Sequence, residues 1–144
     1  MTGENEFLYL DREDYERLHE ALAEWAKTQD EPIPPFRLAR EGDIESLVSL
    51  PRRSFFGHSA YPTLAEKAAI IFYTINKRQI FLNGNKRMST LALLVFLGIN
   101  GHELDVSADE LTEKALWLAK TESLEFPDIK ASLVAWVQER LRAG

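Results

Sequence analysis

The sequence predicts an all-α protein, a single compact domain over residues 1–144 with about six helices around a buried central one. Two observations support this prediction. Apolar residues recur at three- and four-residue spacing along most of the chain, which is the period of an amphipathic helix. One further segment, Met88 to Ile99, is apolar on nearly every side, as expected of a helix in the middle of a domain.

The helix starts are marked by residues whose side chains can accept hydrogen bonds from the free N–H groups of a first turn. Residues of this kind precede the apolar runs: Asp11, Asp43, Thr63, Ser107 and Asp128. Glu66 and Glu110 stand three residues after Thr63 and Ser107, a spacing that predicts two capping boxes.

Other segments are expected not to be helical. Three prolines exclude a helix from Glu31 to Phe36. Gly101 is placed to end the central helix in a left-handed conformation. The only extended piece that we expect lies at Phe7 to Leu10.

Composition and charge exclude several classes of function. The chain has 17 basic and 23 acidic residues, a net charge of −6, which argues against nucleic acid as the main partner. It has no cysteine, so disulfides, thiolate metal sites and cysteine nucleophiles are excluded. We find no signal peptide and no apolar stretch long enough to cross a bilayer. A soluble, cytoplasmic protein without membrane partners is expected.

One local segment differs from this helical background. Gln79 to Arg87 reads Q-I-F-L-N-G-N-K-R and stands where the central helix begins. Gly84 permits a positive φ, and Asn83 and Asn85 tolerate tight turns. The free N–H groups and positive dipole end of a helix start attract anions, and Lys86 and Arg87 add two charges. The residues alone therefore indicate either a phosphate-binding loop or an ordinary turn followed by a solvated first turn.

The same segment resembles the signature of the Fic/Doc family, H-x-F-x-(D/E)-(G/A)-N-(G/K)-R. Its K-R ending favours the Doc, or death-on-curing, branch. The similarity extends over nearly the whole chain. It includes the upstream G-D-I-E-S, the aromatic loop with Phe56 and Gly57, the run Y-P-T-L-A-E-K-A-A and the downstream L-L-V-F-L-G-I-N-G.

This resemblance implies an all-helical Fic/Doc-like domain that transfers a group from ATP to a hydroxyl of a target protein. In the Doc branch the group is a phosphoryl, and the target is a translation elongation factor. Proteins of this branch are toxins that an antitoxin polypeptide neutralises. An adenylyl group is the alternative that other Fic proteins transfer.

The resemblance also assigns roles by position. Gly84 and Asn85 would line the anion-binding turn, and Lys86 and Arg87 would bind the nucleotide phosphates and take part in catalysis. Asn83 would stand at the cofactor- and metal-binding position. Phe81 would be a core anchor that fixes the loop.

Two positions depart from the family pattern. Gln79 occupies the place of the catalytic histidine, and an amide does not titrate near neutral pH, so about 10²–10⁴-fold in rate is expected to be lost. Asn83 occupies the place of the acidic residue that helps to hold Mg²⁺, and it offers a neutral oxygen where a carboxylate is preferred. The phosphate-binding half of the motif is retained while the base and the metal ligand are weakened.

No other residue is a strong substitute for the missing base. His58 lies in the loop that borders the active site in Fic proteins, but we interpret it as an exposed loop residue. His19 and His102 are interpreted as structural or solvent-exposed. The family's self-inhibiting motif, (S/T)-x-x-x-E-(G/N), is absent, since Phe7 follows Thr2 to Glu6 and Phe126 follows Thr121 to Glu125.

The large aromatic residues are assigned mainly to the core. These are the tryptophans Trp25, Trp117 and Trp136 and the pair Phe55 and Phe56. An alternative for the phenylalanine pair is a partner-binding patch, because Arg52 and Arg53 stand beside it.

Two functions follow from the sequence. The first is a Doc-like toxin-family protein with weakened transfer from ATP, with Gln79, Lys86 and Arg87 as its catalytic residues. The second is a catalytically inactive pseudo-enzyme that binds a nucleotide or a protein partner. An unrelated helical interaction domain has little support, given how much of the chain the resemblance covers.

Overall fold

Helices dominate the fold. A computed structural model describes residues 7–30, 32–121 and 126–144. Six α-helices occur in it: α1 Arg12–Ala26, α2 Asp43–Ser49, α3 Leu64–Arg78, α4 Asn85–Ile99, α5 Ala108–Lys120 and α6 Phe126–Arg140. A 3-10 helix at Leu50–Arg52 continues α2. The prediction of an all-α fold with about six helices is confirmed.

Helix α4 is the central helix, and it packs against α1, α3 and α5. Its inward side chains are fully buried: Met88, Ala92, Leu93, Phe96 and Leu97. Leu94 and Ile99 are exposed, so one edge of the helix reaches the surface although most of its residues are apolar. None of the helices within the described ranges has the length and apolarity that a membrane span requires.

The extended segments differ from the prediction. Four short strands occur in the described residues and form two antiparallel pairs, β1 Ser54–Phe55 with β2 His58–Ser59 and β3 His102–Leu104 with β4 Leu141–Ala143. The short extended piece expected at Phe7 to Leu10 does not pair as a strand, and the backbone of Leu8 instead bonds with the side chain of Asn100. Pairing of β3 with β4 joins distant parts of the chain, which a local pattern does not reveal.

The predicted caps are mostly confirmed. Asp11 and Asp14 exchange reciprocal hydrogen bonds at the start of α1, both at 2.9 Å. Thr63 and Ser107 cap α3 and α5, each accepting from the N–H group three residues later at 3.1 Å. Neither forms the full capping box that was predicted, because Glu66 accepts from the Thr63 hydroxyl at 3.1 Å and Glu110 accepts from Arg140 at 3.3 Å. Helix α6 begins at Phe126, before the expected Asp128.

Asp43 is not a cap, contrary to the prediction. Gly42 stands at the N-cap position of α2 without a side-chain hydrogen bond. The Asp43 carboxylate instead binds the guanidinium of Arg40 at 2.6 Å, and this ion pair with a preceding residue turns it away from the helix start.

The assignment of the aromatic residues to the core is correct for only part of the set. Trp136 is buried and Trp117 is half-buried, but Trp25 is 49% exposed. Phe55 is exposed and Phe56 fully so, because the tight turn of the β1–β2 hairpin, with Phe56 and Gly57 at positive φ, projects them outward. The alternative of a surface patch therefore fits the phenylalanine pair better than the core does.

The connection between α3 and α4 is fixed by one side chain. The Asn85 amide donates to the carbonyl oxygen of Phe81 at 2.7 Å and accepts from the Phe81 N–H at 3.0 Å. Phe81 is 1% exposed, which confirms it as a core anchor. Backbone bonds from Ala39 to Ile80 (3.1 Å) and from Leu82 to Arg37 (2.7 Å) brace the same segment from outside. Residues 32–36 contain no helix, as expected, and Glu31 lies outside the described residues.

We expect Asn85→Ala to lower the free energy of unfolding by about 1–3 kcal/mol, because both backbone groups of Phe81 lose their partner. The matched control is Asn83→Ala, since the Asn83 side chain has no hydrogen bond within the described part of the chain, and it should stay near wild type. Urea unfolding followed by circular dichroism measures both. Equal unfolding midpoints for the two variants would contradict the structural role of Asn85.

Candidate anion-binding site at the start of helix α4

The loop between α3 and α4 turns sharply at both ends. Gln79 ends α3 in a left-handed conformation, with φ 50° and ψ 62°, and its N–H binds the carbonyl of Ile75 at 3.1 Å. Gly84 precedes α4 with φ 77° and ψ 21°. A left-handed conformation is unfavourable for most residues by roughly 1–2 kcal/mol, so the fold holds Gln79 in a strained conformation.

Gly84 is favoured by its conformation more than by its neighbours. Its φ is positive, and a Cβ added there would lie 3.4 Å from Ile33 and 3.6 Å from Leu22. No side chain caps the helix at this point. The first-turn N–H groups of α4 therefore have no side-chain acceptor and, together with the helix dipole, face an anion-attracting position.

His19 supports the loop from the protein interior. Its side chain is 1% exposed, and Nε2 lies 3.0 Å from the carbonyl oxygen of Asn83, which accepts the hydrogen bond when Nε2 carries the proton. The imidazole packs against the rings of Phe36 and Phe81, with centroids 5.8 and 5.4 Å away. The structural interpretation of His19 is confirmed.

Sequence analysis did not connect His19 with the loop. A signal was present, because His19 falls on the same stripe of α1 as Tyr15 and Leu22, both of which are buried. A polar residue on a buried stripe needs a partner, and that partner stands 64 residues away.

A cavity of about 270 Å³ opens in front of the helix start. The predicted nucleotide-binding residues line it, together with the proline segment: Pro32, Ile33, Pro34, Asn83, Gly84, Asn85, Lys86 and Arg87. The Asn85 side chain is occupied with Phe81, so this residue offers its backbone to a ligand.

The two cations of the motif are accessible. Lys86 and Arg87 are exposed, and neither forms an ion pair with any part of the chain that the structure describes. The Arg87 guanidinium carbon lies 5.2 Å from the centroid of the Trp25 ring, at cation–π distance. The local charge at the cavity is positive although the whole chain is acidic.

Gln79 stands apart from these residues. It is exposed and does not line the cavity in front of α4. Its carbonyl oxygen lies 3.5 Å from the Arg40 guanidinium. His58 is exposed on β2, as expected, and His102 is half-buried on β3, where its Nδ1 lies 2.8 Å from the Asn100 carbonyl oxygen. Neither histidine lines the cavity.

The residues present do not fit a magnesium ion held by the protein alone. Asn83 can offer a neutral amide oxygen, whereas hard divalent cations prefer carboxylates. Within the described ranges, no three His, Asp or Glu side chains come together as a metal site. No chemical step is therefore assigned to a metal at this position.

Comparison with known proteins identifies the family of this chain. The sequence model of the Fic/DOC family matches residues 9–97, which include the loop, the cavity and most of α4. Toxin Doc of Mycolicibacterium smegmatis (strain ATCC 700084 / mc(2)155) is 29% identical over 96 residues, which are 66% of this chain and 74% of that protein. The family match extends over more than half of the chain, and this protein therefore belongs to the Fic/DOC family.

Proposed function

We propose that this protein binds the phosphates of ATP at residues 84–87 and slowly transfers a phosphoryl group to a hydroxyl of a target protein. The observation that carries the proposal is the uncapped start of α4, where free N–H groups meet two exposed cations in one cavity. Backbone donors, Lys86 and Arg87 together form the donor set that phosphates require.

Each group at the cavity has a separate contribution. The N–H groups of the first turn are fixed by the helix, so they need no reorganisation when a phosphate enters. Lys86 supplies a flexible point charge, and Arg87 supplies two parallel donors that match two phosphate oxygens. Phosphoryl transfer depends mainly on positioning and on stabilisation of negative charge, which these groups supply.

Removal of the proton from the target hydroxyl is the step that this protein catalyses poorly. The hydroxyl oxygen attacks the γ-phosphorus, the bond from this phosphorus to the β–γ bridging oxygen breaks, and ADP leaves. Gln79 cannot accept the proton near neutral pH, so the proton passes to solvent or to a phosphate oxygen. Gln79 can still orient the hydroxyl by a hydrogen bond, and transfer is therefore slow rather than absent. Transfer of an adenylyl group is the alternative, with attack at the α-phosphorus and pyrophosphate leaving.

The biological role follows from the Doc branch. The relative from Mycolicibacterium smegmatis is a toxin by name. By analogy, this protein is the toxin of a toxin–antitoxin pair, its target is a translation elongation factor, and a separate antitoxin polypeptide restrains it. Both sequence windows that fail to match the self-inhibiting motif, at 2–6 and 121–125, lie wholly or mostly outside the described residues.

A second function, a pseudo-enzyme, is supported by the pair of neutral amides. Gln79 and Asn83 replace a base and an acid, while the phosphate-facing residues of the loop are retained. A protein of this kind would hold a nucleotide, or a protein partner, without turnover. The following experiments separate the two functions.

Arg87→Ala should weaken ATP binding by about tenfold or more, because a hydrogen bond to a charged group contributes about 1.5–3 kcal/mol. Isothermal titration calorimetry with ATP measures the affinity. Arg17→Ala is the matched control, since Arg17 is an exposed arginine of α1 whose ion pair is with Glu13, and it should bind as wild type does. Unchanged affinity in Arg87→Ala, or no binding to wild type, would remove the loop as a nucleotide site.

Gln79→His should raise transfer from ATP, and combining it with Asn83→Asp should raise transfer further. Imidazole restores a group that accepts a proton near pH 7, and the carboxylate restores charge for Mg²⁺ that enters with the nucleotide. ATP labelled on the α- or the γ-phosphate, with cell lysate as the source of targets, distinguishes adenylyl from phosphoryl transfer.

The labelled-ATP assay also tests the account of the base. Full activity of wild type together with an unchanged rate for Gln79→Ala would show that the base lies elsewhere. A silent double variant that still binds ATP would identify the protein as a pseudo-enzyme.

Expression of this chain alone should slow growth, and co-expression with a polypeptide encoded next to it should relieve the defect. The reason is that a toxin of this branch is restrained by a separate partner. Growth curves with Arg87→Ala as the inactive control measure the effect. A chain that leaves growth unchanged in both settings would favour the pseudo-enzyme.

A further inference from the structure

His19 buries a polar atom that its other contacts leave unpaired. Its side chain is 1% exposed, and Nδ1 has no hydrogen-bond partner in the part of the chain that the structure describes. The Asn83 carbonyl oxygen, 3.0 Å from Nε2, can only accept, so the proton lies on Nε2 and Nδ1 is an unpaired acceptor. A buried acceptor without a partner is destabilising. A phenylalanine would fill the same position against Phe36 and Phe81 without that cost, so what the histidine adds is the donor at Nε2.

The hydrogen bond from His19 fixes the peptide group between Asn83 and Gly84. This peptide is trans, so its carbonyl and its N–H point in opposite directions. His19 holds the carbonyl toward the protein interior, and the Gly84 N–H therefore points away from the interior. Gly84 lines the cavity in front of α4, and its N–H donates to no group among the described residues.

The direction of this N–H is important because of the conformation around it. Gly84 is left-handed, with φ 77°, and Asn85 follows it as the first residue of the right-handed helix α4. Successive N–H groups in residues of alternating hand form a concave nest that binds anions. In such a nest the Gly84 N–H adds one donor to those of the first turn of α4.

Gly84 does not enforce this direction by itself. Glycine adopts positive and negative φ about equally readily, so the peptide group that precedes it can rotate without a steric penalty. A rotated peptide would present the Asn83 carbonyl oxygen to the cavity, where its partial negative charge would repel a phosphate. A donor on the buried side opposes that rotation, and His19 supplies one from a ring that packs against Phe36 and Phe81.

We propose that His19 is a positioning residue of the anion site: its Nε2–H holds the Asn83 carbonyl inward, so that the Gly84 N–H faces the cavity and donates to a phosphate oxygen. This inference rests on the proposed phosphate site, and it adds a residue of α1, outside the signature segment, that sets the affinity of that site. The effect concerns phosphate oxygens alone, so ATP and inorganic tripolyphosphate should respond alike.

The test separates the donor at position 19 from the packing there. His19→Phe keeps an aromatic ring against Phe36 and Phe81 and removes the donor, whereas His19→Gln places an amide N–H near the position of Nε2. Val137→Ala is the control for lost stability, since Val137 is buried on α6 and does not line the cavity. Calorimetry with ATP and with tripolyphosphate measures affinity, and urea unfolding measures stability.

His19→Phe should weaken the binding of both ligands about tenfold, in line with the loss of one hydrogen bond to a charged group. His19→Gln should recover most of the affinity. Val137→Ala should be less stable than wild type and still bind both ligands as wild type does. Unchanged affinity in His19→Phe would overturn the positioning role, and so would failure of His19→Gln to bind more tightly than His19→Phe. An equal loss of affinity in Val137→Ala would also overturn it, because lost stability would then explain the effect.

A second measurement uses wild type alone. In isotope-labelled protein, the amide resonance of Gly84 should shift as tripolyphosphate is added, because its N–H gains a charged acceptor. A Gly84 resonance that stays in place while those of Lys86 and Arg87 shift would overturn the proposal, even if His19→Phe does not fold. Failure of wild type to bind either ligand would instead overturn the phosphate site on which this inference rests.

Discussion

Two hydrogen bonds between the Asn85 side chain and the backbone of Phe81 connect the loop that follows α3 to the start of α4. Phe81 is buried, so its position is set by the core, and Asn85 transmits that position to the first turn of α4. Because α4 is the central helix, its first turn cannot move without disturbing the packing of three neighbouring helices. The anion-facing N–H groups are therefore held in place before any ligand arrives, which is the arrangement that favours electrostatic stabilisation.

The polar groups of the loop divide into an inward and an outward set. The Asn85 amide and the Asn83 carbonyl face the protein, where they meet Phe81 and His19. Lys86 and Arg87 are exposed and line the cavity. Since His19 binds the backbone of Asn83 and not its amide, this support of the loop does not depend on the Asn83 side chain. The strained conformation of Gln79 restricts that position, and histidine is among the residues that tolerate it better than most.

Helix α1 contributes two side chains to the candidate site, one buried behind the loop and one at the surface. His19 reaches the underside of the loop, and Trp25 lies beside Arg87 less than two turns further along. The loop therefore depends on a helix distant in the sequence, which supports its backbone through His19 and places Trp25 beside Arg87.

The sequence by itself determined the features that depend on neighbouring residues. Helix periods, the caps at Asp11, Thr63 and Ser107, and the left-handed Gly84 and Gly101 follow from local hydrogen bonding and steric limits, which a short window contains. The signature segment likewise identified the family and the loop that forms the candidate site.

Tertiary structure decided whatever depends on contacts between distant residues. A helical period places Trp25 on the same stripe as Tyr15 and Leu22, but only tertiary packing shows that Trp25 is 49% exposed while its neighbour Ala26 is fully buried. Pairing of β3 with β4 and the bond from His19 to Asn83 join segments about 40 and 64 residues apart. Each of these features depends on two segments that meet only in the folded chain, and the sequence of either segment alone does not specify the other.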